Sequence, residues 1–221
     1  MLILIVFAYL FGSVPFGIII AKMHSVDLRS IGSGNIGATN VSRALGRKWA
    51  YTCFALDVLK GMIPTLLALF LVNPACVQSH ANHIIMLWLW LAIGCAAVIG
   101  HIFPIYLGFK GGKGVSTSFG VALGLWPYYT ICAAAAIIVW VVVAMVWRYV
   151  SLASIAGSIA FLITLILAVT LIPTWNISTL WPLLVVAVII PLMVIIRHRQ
   201  NINRLLAGAE SKITKKNRKS K

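Results

Sequence analysis

Seven stretches of this sequence, 2–21, 49–72, 83–103, 115–126, 128–147, 152–172 and 181–196, are apolar almost throughout. An α-helix needs roughly 20 such residues to cross the hydrocarbon core of a bilayer. Most of the runs come close, but 115–126 has only twelve residues and Pro127 ends it. At 62% hydrophobic and 10% charged residues, a chain of 221 cannot hide its apolar surface from water in a soluble fold. The reading is an all-α polytopic membrane protein with seven transmembrane helices, the fourth of them short. The run 2–21 has no basic residue before it and Lys22 after it, the reverse of a secretory signal, so it is expected to remain as the first span.

The basic residues decide the orientation. If all seven runs cross, Lys and Arg between positions 22 and 60, at 110 and 113, at 148, and from 197 onward all fall on one side. The opposite connections, around 73–82, at Pro127 and over 173–180, carry none. Dropping the short fourth span would send the basic tail outside, against the positive-inside rule, so the N-terminus is placed out and the C-terminus in. Trp126, Tyr128, Trp175 and Trp181 then lie at the outer ends as an aromatic belt. The expected organisation is one integral membrane domain over 1–211 and a basic cytoplasmic tail over 212–221.

The net charge of +15 points to anionic lipid and anionic ligands, and not to nucleic acid. Only Asp27, Asp57 and Glu210 are acidic, which removes most paired-carboxylate and two-metal chemistry. Cys53, Cys76, Cys95 and Cys132 stand singly, without C-x-x-C spacing, and read as small buried hydrophobes; no metal site and no cofactor are expected.

Against this apolar background the polar stretches stand out. Residues 100–118 read GHIFPIYLGFKGGKGVSTS. Gly111, Gly112 and Gly114 allow positive φ and close approach of a ligand to backbone N–H groups, Lys110 and Lys113 add cationic donors, and Val115 onward looks like a helix whose N-terminus favours an anion. The segment suits a phosphate cradle, and equally a flexible positive-inside connection. Residues 31–46, IGSGNIGATNVSRALG, form a second Gly-rich loop, in which Ser33, Asn35, Thr39 and Asn40 either face anion oxygens or form turns, followed by Arg43. In IIRHRQNINRLLAGAE, 195–210, spacings of four and three put Arg197, Asn201 and Arg204 on one helical face beside His198, with Glu210 following. RYVSLAS, 148–154, brings Ser151 to the same membrane face, and Asp57 and Lys60 are spaced to pair across one helical turn. These stretches, far apart in sequence, converge on one side of the membrane. The convergence argues for a cytoplasmic-side site that handles one or more phosphates.

Taken together, GSGNIGATNVSRALG, DVLKG, GHIFPIYLGFKGGKGV, RYVSLAS and RHRQNINRLLAGAE closely resemble the bacterial acyl-phosphate:glycerol-3-phosphate acyltransferases of the PlsY family, over nearly the whole chain. Ser116 departs from the alanine more usual there. The resemblance implies a seven-helix enzyme of the bacterial inner membrane, its site facing the cytoplasm. It implies transfer of a fatty acyl group from acyl phosphate to the sn-1 hydroxyl of glycerol 3-phosphate, without acyl-CoA, acyl carrier protein or metal; separately from the resemblance, the chain is expected to be a monomer among membrane lipids. No histidine is followed four residues later by aspartate as in the H-x-x-x-x-D acyltransferases; His24 precedes Asp27 at the wrong spacing. Carried over, the resemblance places Ser33 and nearby N–H groups on the acyl-phosphate head, and Arg43, Lys113, Ser151, His198 and Asn201 on glycerol 3-phosphate, with Lys110 and Lys113 sharing developing charge. The attacking hydroxyl's proton is expected to pass to phosphate, with His101 and His198 as the protein-based rivals. An organic-phosphate transporter is the rival class, disfavoured by the lack of internal symmetry.

Overall fold

The computed structural model describes residues 1–71 and 80–213. Most of the connection 73–82, with Cys76 and Ser79, and the tail from 214 onward, with Lys219, lie outside the described residues. All the regular structure among the described residues is helical. The first apolar run folds as α1 (Leu2–Gly12) and α2 (Phe16–Met23), and α3 (Ala38–Leu45) follows the first Gly-rich loop. Next come α4 (Arg47–Leu71), α5 (His80–Ile102), α6 (Val115–Gly124), α7 (Tyr128–Trp147), α8 (Val150–Leu171), α9 (Ile177–Arg197) and α10 (Arg199–Leu206).

Among the described residues, six segments are long and apolar enough to cross a membrane: Leu2–Met23, Arg47–Leu71, His83–Leu107, Tyr128–Trp147, Val150–Leu171 and Ile177–Arg197. The segment expected to be the short fourth span is α6, with 10 residues. At 1.5 Å per residue it rises about 15 Å, half of the roughly 30 Å hydrocarbon core. The first span is also not one straight helix. Pro15 interrupts it, and the carbonyl of Val14, exposed at the break, accepts from the buried Lys60 Nζ at 2.9 Å. Lys60 is held from its other side by Asp57 Oδ1 at 2.8 Å, so the expected local pair forms and its cation closes the kink.

Small residues let helices touch backbone to backbone. A Cβ on Gly120 would run into the carbonyl of Val58, one on Gly124 into the Thr65 hydroxyl, and one on Gly61 into the carbonyl of Thr117, so α6 lies directly on α4. Gly12 and Gly100 do the same between α1 and α5, against Ala97 and Tyr9. Large apolar side chains meanwhile face outward, Ile3 at 86% exposure and Phe70 at 82%, as lipid-facing surfaces require. Of the aromatic residues expected near the outer ends, Tyr128 meets Trp175, and Trp181 meets Trp88 on α5. Because α6 starts beside Val98 and Ile102, near the end of α5, the part of the Gly-rich loop from Gly111 to Gly114 sits against the end of a span, while Gly108, Phe109 and Lys110 stay exposed.

Candidate active site

A cavity of about 260 Å³ opens where three helices begin. Gly37, Ala38 and Thr39 bring the N-terminus of α3 to it, Gly114, Val115 and Ser116 that of α6, and Val150 and Ser151 that of α8. Unpaired N–H groups and positive dipole ends at helix starts favour anions. Arg43 and Lys113 add full charges to the same wall, and Ser33 and Asn35 complete it from the loop before α3. His101 and Asp57, from α5 and α4, line the cavity as well, as do His198, Asn201 and Glu210 from the last stretch.

The polar wall is a connected network. Lys113 Nζ donates to Asn201 Oδ1, and Asn201 Nδ2 donates in turn to Glu210 Oε1 at 2.6 Å. Ser151 donates to the same carboxylate oxygen at 2.9 Å, and Arg204 Nε to Oε2 at 2.7 Å. Burial on its own would raise the Glu210 carboxyl, but donors from Asn201, Arg204 and Ser151 outweigh it and hold the group below its ordinary range. Burial pushes the Lys113 ammonium down to about 8; Glu210 opposes this, while Arg204, Arg43 and Arg197 add to it. A cation this weakly held gains most from an incoming dianion.

His198 is the turn between α9 and α10, so the single helical face expected through Arg197, Asn201 and Arg204 is broken there. The break points its ring at the cavity. Nδ1 lies 2.7 Å from the carbonyl of Val194, which can only accept, so Nδ1 carries the proton and Nε2 is left as an acceptor. Burial, then the charge of Lys113, pushes this imidazole down to about 4, against the pull of Val194 and Glu210. At neutral pH the ring is uncharged, so Nε2 can accept a hydrogen bond and the group repels no cation.

Ser33, Asn35, Thr39, Arg43, His101, Lys113, Gly114, Ser151, His198, Asn201 and Glu210 thus share one cavity. Lys110, Gly111 and Arg197 line a neighbouring pocket that has Ser33 and Asn35 as its common wall. Gly112 lines neither and packs on the His101 ring. Only Gly114 of the three loop glycines has positive φ, at 85°, where it caps α6. The N–H groups of Gly111 and Gly112 are spent on the carbonyls of Ile102 and His101, both at 3.1 Å. Arg197 donates to the Gly112 carbonyl at 3.0 Å and Arg29 to that of Lys110, also at 3.0 Å, so both clamp the loop. Asn40, in the first turn of α3, ties down the loop before it: its Oδ1 accepts from Ser33 N and its Nδ2 donates to the carbonyls of Leu28 and Ile31. Asn35 likewise accepts from Gly37 N at 3.0 Å, a turn role beside its place on the cavity wall.

Sequence reasoning missed the other half of the cavity. An apolar arm runs from the polar wall between α7, α8 and α9, past Trp140, Ala136 and Gly157 to Pro191 and Phe161. Small residues three or four apart on α7 were its one trace, and that spacing also describes ordinary helix packing.

Comparison with known proteins bears on this arrangement. A family model described as glycerol-3-phosphate acyltransferase matches residues 2–208. The glycerol-3-phosphate acyltransferase of Aquifex aeolicus is 44% identical over 209 residues, 95% of this chain and 97% of that one. That of Geotalea daltonii is 43% identical over 213 residues, 95% of this chain and 96% of its own. Among solved structures, the glycerol 3-phosphate form of PlsY (YgiH), an integral membrane glycerol 3-phosphate acyltransferase, superposes with a TM-score of 0.80 at 42% identity, covering 96% of this chain and 95% of that one. Its lysophosphatidic acid form gives 0.78 at the same identity and coverage.

Proposed function

This chain belongs to the glycerol-3-phosphate acyltransferase family of integral membrane enzymes, and from that premise we propose that its acyl donor is acyl phosphate, attacked directly by the sn-1 hydroxyl of glycerol 3-phosphate. The observation that carries the reading is one cavity with two ends. A cationic wall with three helix N-termini suits two phosphate groups, and the apolar arm joined to it suits a fatty chain. Holding both substrates there converts a bimolecular encounter into a positioned one.

In this mechanism Arg43, Lys113 and the backbone N–H of Ser151 at the start of α8 hold the phosphate of glycerol 3-phosphate, the Ser151 hydroxyl being spent on Glu210. His198 Nε2 accepts from a glycerol hydroxyl and aims it. Ser33, Thr39 and the N–H groups at the start of α3 hold the acyl-phosphate head. The sn-1 oxygen forms a bond to the carbonyl carbon, the bond from that carbon to the phosphate oxygen breaks, and the hydroxyl proton leaves with the phosphate. Lysophosphatidic acid and inorganic phosphate are the products, and no acyl-enzyme forms. A histidine pushed down to about 4 is a weak base, which favours phosphate as the proton acceptor over His198. Lys113 balances charge on the carbonyl oxygen and the departing phosphate as they develop. The proposed topology has α6 as the fourth crossing, the N-terminus outside, and the site facing the cytoplasm across the inner membrane.

Purified protein in detergent, supplied with acyl phosphate and glycerol 3-phosphate, is expected to form lysophosphatidate and phosphate in equal amounts. Acyl-CoA in place of acyl phosphate is expected to give none. Product from acyl-CoA at a comparable rate would overturn the donor assignment, and uptake of labelled organic phosphate into proteoliposomes without acyl transfer would favour a transporter.

A further inference from the structure

We propose that the apolar arm is a molecular ruler whose closed end, the Tyr129–Phe161 pair, sets the longest acyl chain the enzyme accepts efficiently. The inference rests on the acyl-transfer reading and adds a specificity to it. Along α7 the arm is lined by Trp140, Ala136, Ala133 and Tyr129, spaced by three and four residues on one helical face. Along α8 it is lined by Ser151, Ser154, Gly157 and Phe161 in the same rhythm. Ten residues separate Ser151 at the polar wall from Phe161, so the arm runs about 15 Å into the bilayer at helical rise.

Small residues line the middle of this path and large aromatic residues its two ends, Trp140 by the polar wall and Tyr129 with Phe161 at the far end. The middle is lined by the small residues Ala133, Ala136 and Gly157, and α7 and α8 lie so close there that an added Cβ at Gly157 would come within 3.1 Å of the Ala136 carbonyl. The polar side chains along the arm are already satisfied, Ser154 by Trp140 Nε1 and the Val150 carbonyl, Ser158 by the Ser154 carbonyl, so it presents an apolar lining to an occupant. The far end is then shut by two rings. Tyr129 is 1% exposed, its hydroxyl donates to the Leu183 carbonyl on α9, and the Phe161 ring meets it edge to face at 5.0 Å. A ring anchored by a hydrogen bond to a third helix is a stiff wall, while Phe161 has only packing to hold it.

A hydrophobic pocket discriminates by about tenfold or more for each methylene that fails to fit. The test is the ratio of kcat/KM for long over short saturated acyl phosphates, measured over an even-numbered series from ten to eighteen carbons, a range on the order of the arm's length. Phe161→Ala removes half of the end wall and is expected to raise the ratio by about tenfold. Ala133→Phe fills the arm before its end and is expected to lower the ratio by about tenfold or more. The KM for glycerol 3-phosphate, bound at the other end, is expected to stay within about twofold in both, which separates a ruler from general damage. If Ala133→Phe fails to fold, Phe161→Ala and Phe161→Leu carry the decision. Unchanged ratios in the folded variants overturn the ruler and leave acyl transfer intact, whereas no transfer by the unaltered protein with any donor overturns the reading on which it rests.

Discussion

Lys113 Nζ donates to Asn201 Oδ1 across 88 residues of sequence, joining the Gly-rich loop before α6 to the first turn of α10. Asn201 passes the contact on to Glu210, so one carboxylate balances the cation of a loop it never touches directly. Phosphate arriving at Lys113 meets a cation already aimed, and desolvated enough to profit from a dianion.

Removing that cation therefore costs transition-state stabilisation and not merely binding. Lys113→Ala and Arg43→Ala are each expected to lower kcat/KM by about 30-fold to 1,000-fold, or about 2 to 4 kcal/mol. Lys48→Ala, which removes an exposed cation over Trp49 outside the cavity, serves as the control and should change it less than about twofold. Steady-state rates on equal amounts of inserted protein check this, and similar activity in all three would mean that these cations serve topology alone.

The ammonium of Lys113 also predicts a pH limb. With its pKa pushed down to about 8 in the free enzyme, the charged form is present below that pH and is lost as pH rises through it. The substrate's second phosphate ionisation, near pH 6, is complete before this limb begins. The kcat/KM for glycerol 3-phosphate should fall about tenfold per pH unit above about 8, with kcat holding to higher pH because bound phosphate restores the ammonium. A flat kcat/KM profile to pH 9.5 would refute this.

Gly112→Ala should be damaging for a reason of packing. The new Cβ would run into the His101 ring, whereas one at Gly108 would meet nothing and suffer only from its positive φ of 58°. Overpacking of this kind costs about 1 to 3 kcal/mol of folding stability, so Gly112→Ala should lower the melting temperature and the amount of active protein. Gly108→Ala carries only the backbone cost, about 1 kcal/mol, and the two should separate in a side-by-side assay. Partial rescue of Gly112→Ala by His101→Ala would identify the collision as the cause.

Single cysteines in a cysteine-free background test the orientation. A label at Thr174, exposed in the turn between α8 and α9, is expected to react in intact cells, and one at Ser211 only after permeabilisation. External reaction at Ser211 would remove α6 from the count of crossings.

How much of this was legible beforehand differs by kind of residue. The long spans were plain, because apolar length is a one-dimensional property, and the Asp57–Lys60 pair followed from helical spacing. That Lys60 also closes the Pro15 break was not, since Val14 lies 46 residues away. The three loop glycines looked alike in sequence, yet Gly114 alone needs positive φ, while Gly111 and Gly112 are held by close packing on the end of α5. Arg197 and Lys113 were indistinguishable cations until the fold turned one onto the loop's carbonyls and the other into the cavity.

The sequence by itself determined the long apolar spans and which motifs carry the polar groups, because both follow from local hydropathy and from the residue types along the chain. Only the tertiary structure decided which donors in those motifs remain free for a ligand and where an apolar arm opens beside them. Those outcomes depend on helix contacts between residues far apart in sequence, where a glycine, a proline break or one carboxylate consumes or releases a hydrogen-bonding group, and no local pattern records that exchange.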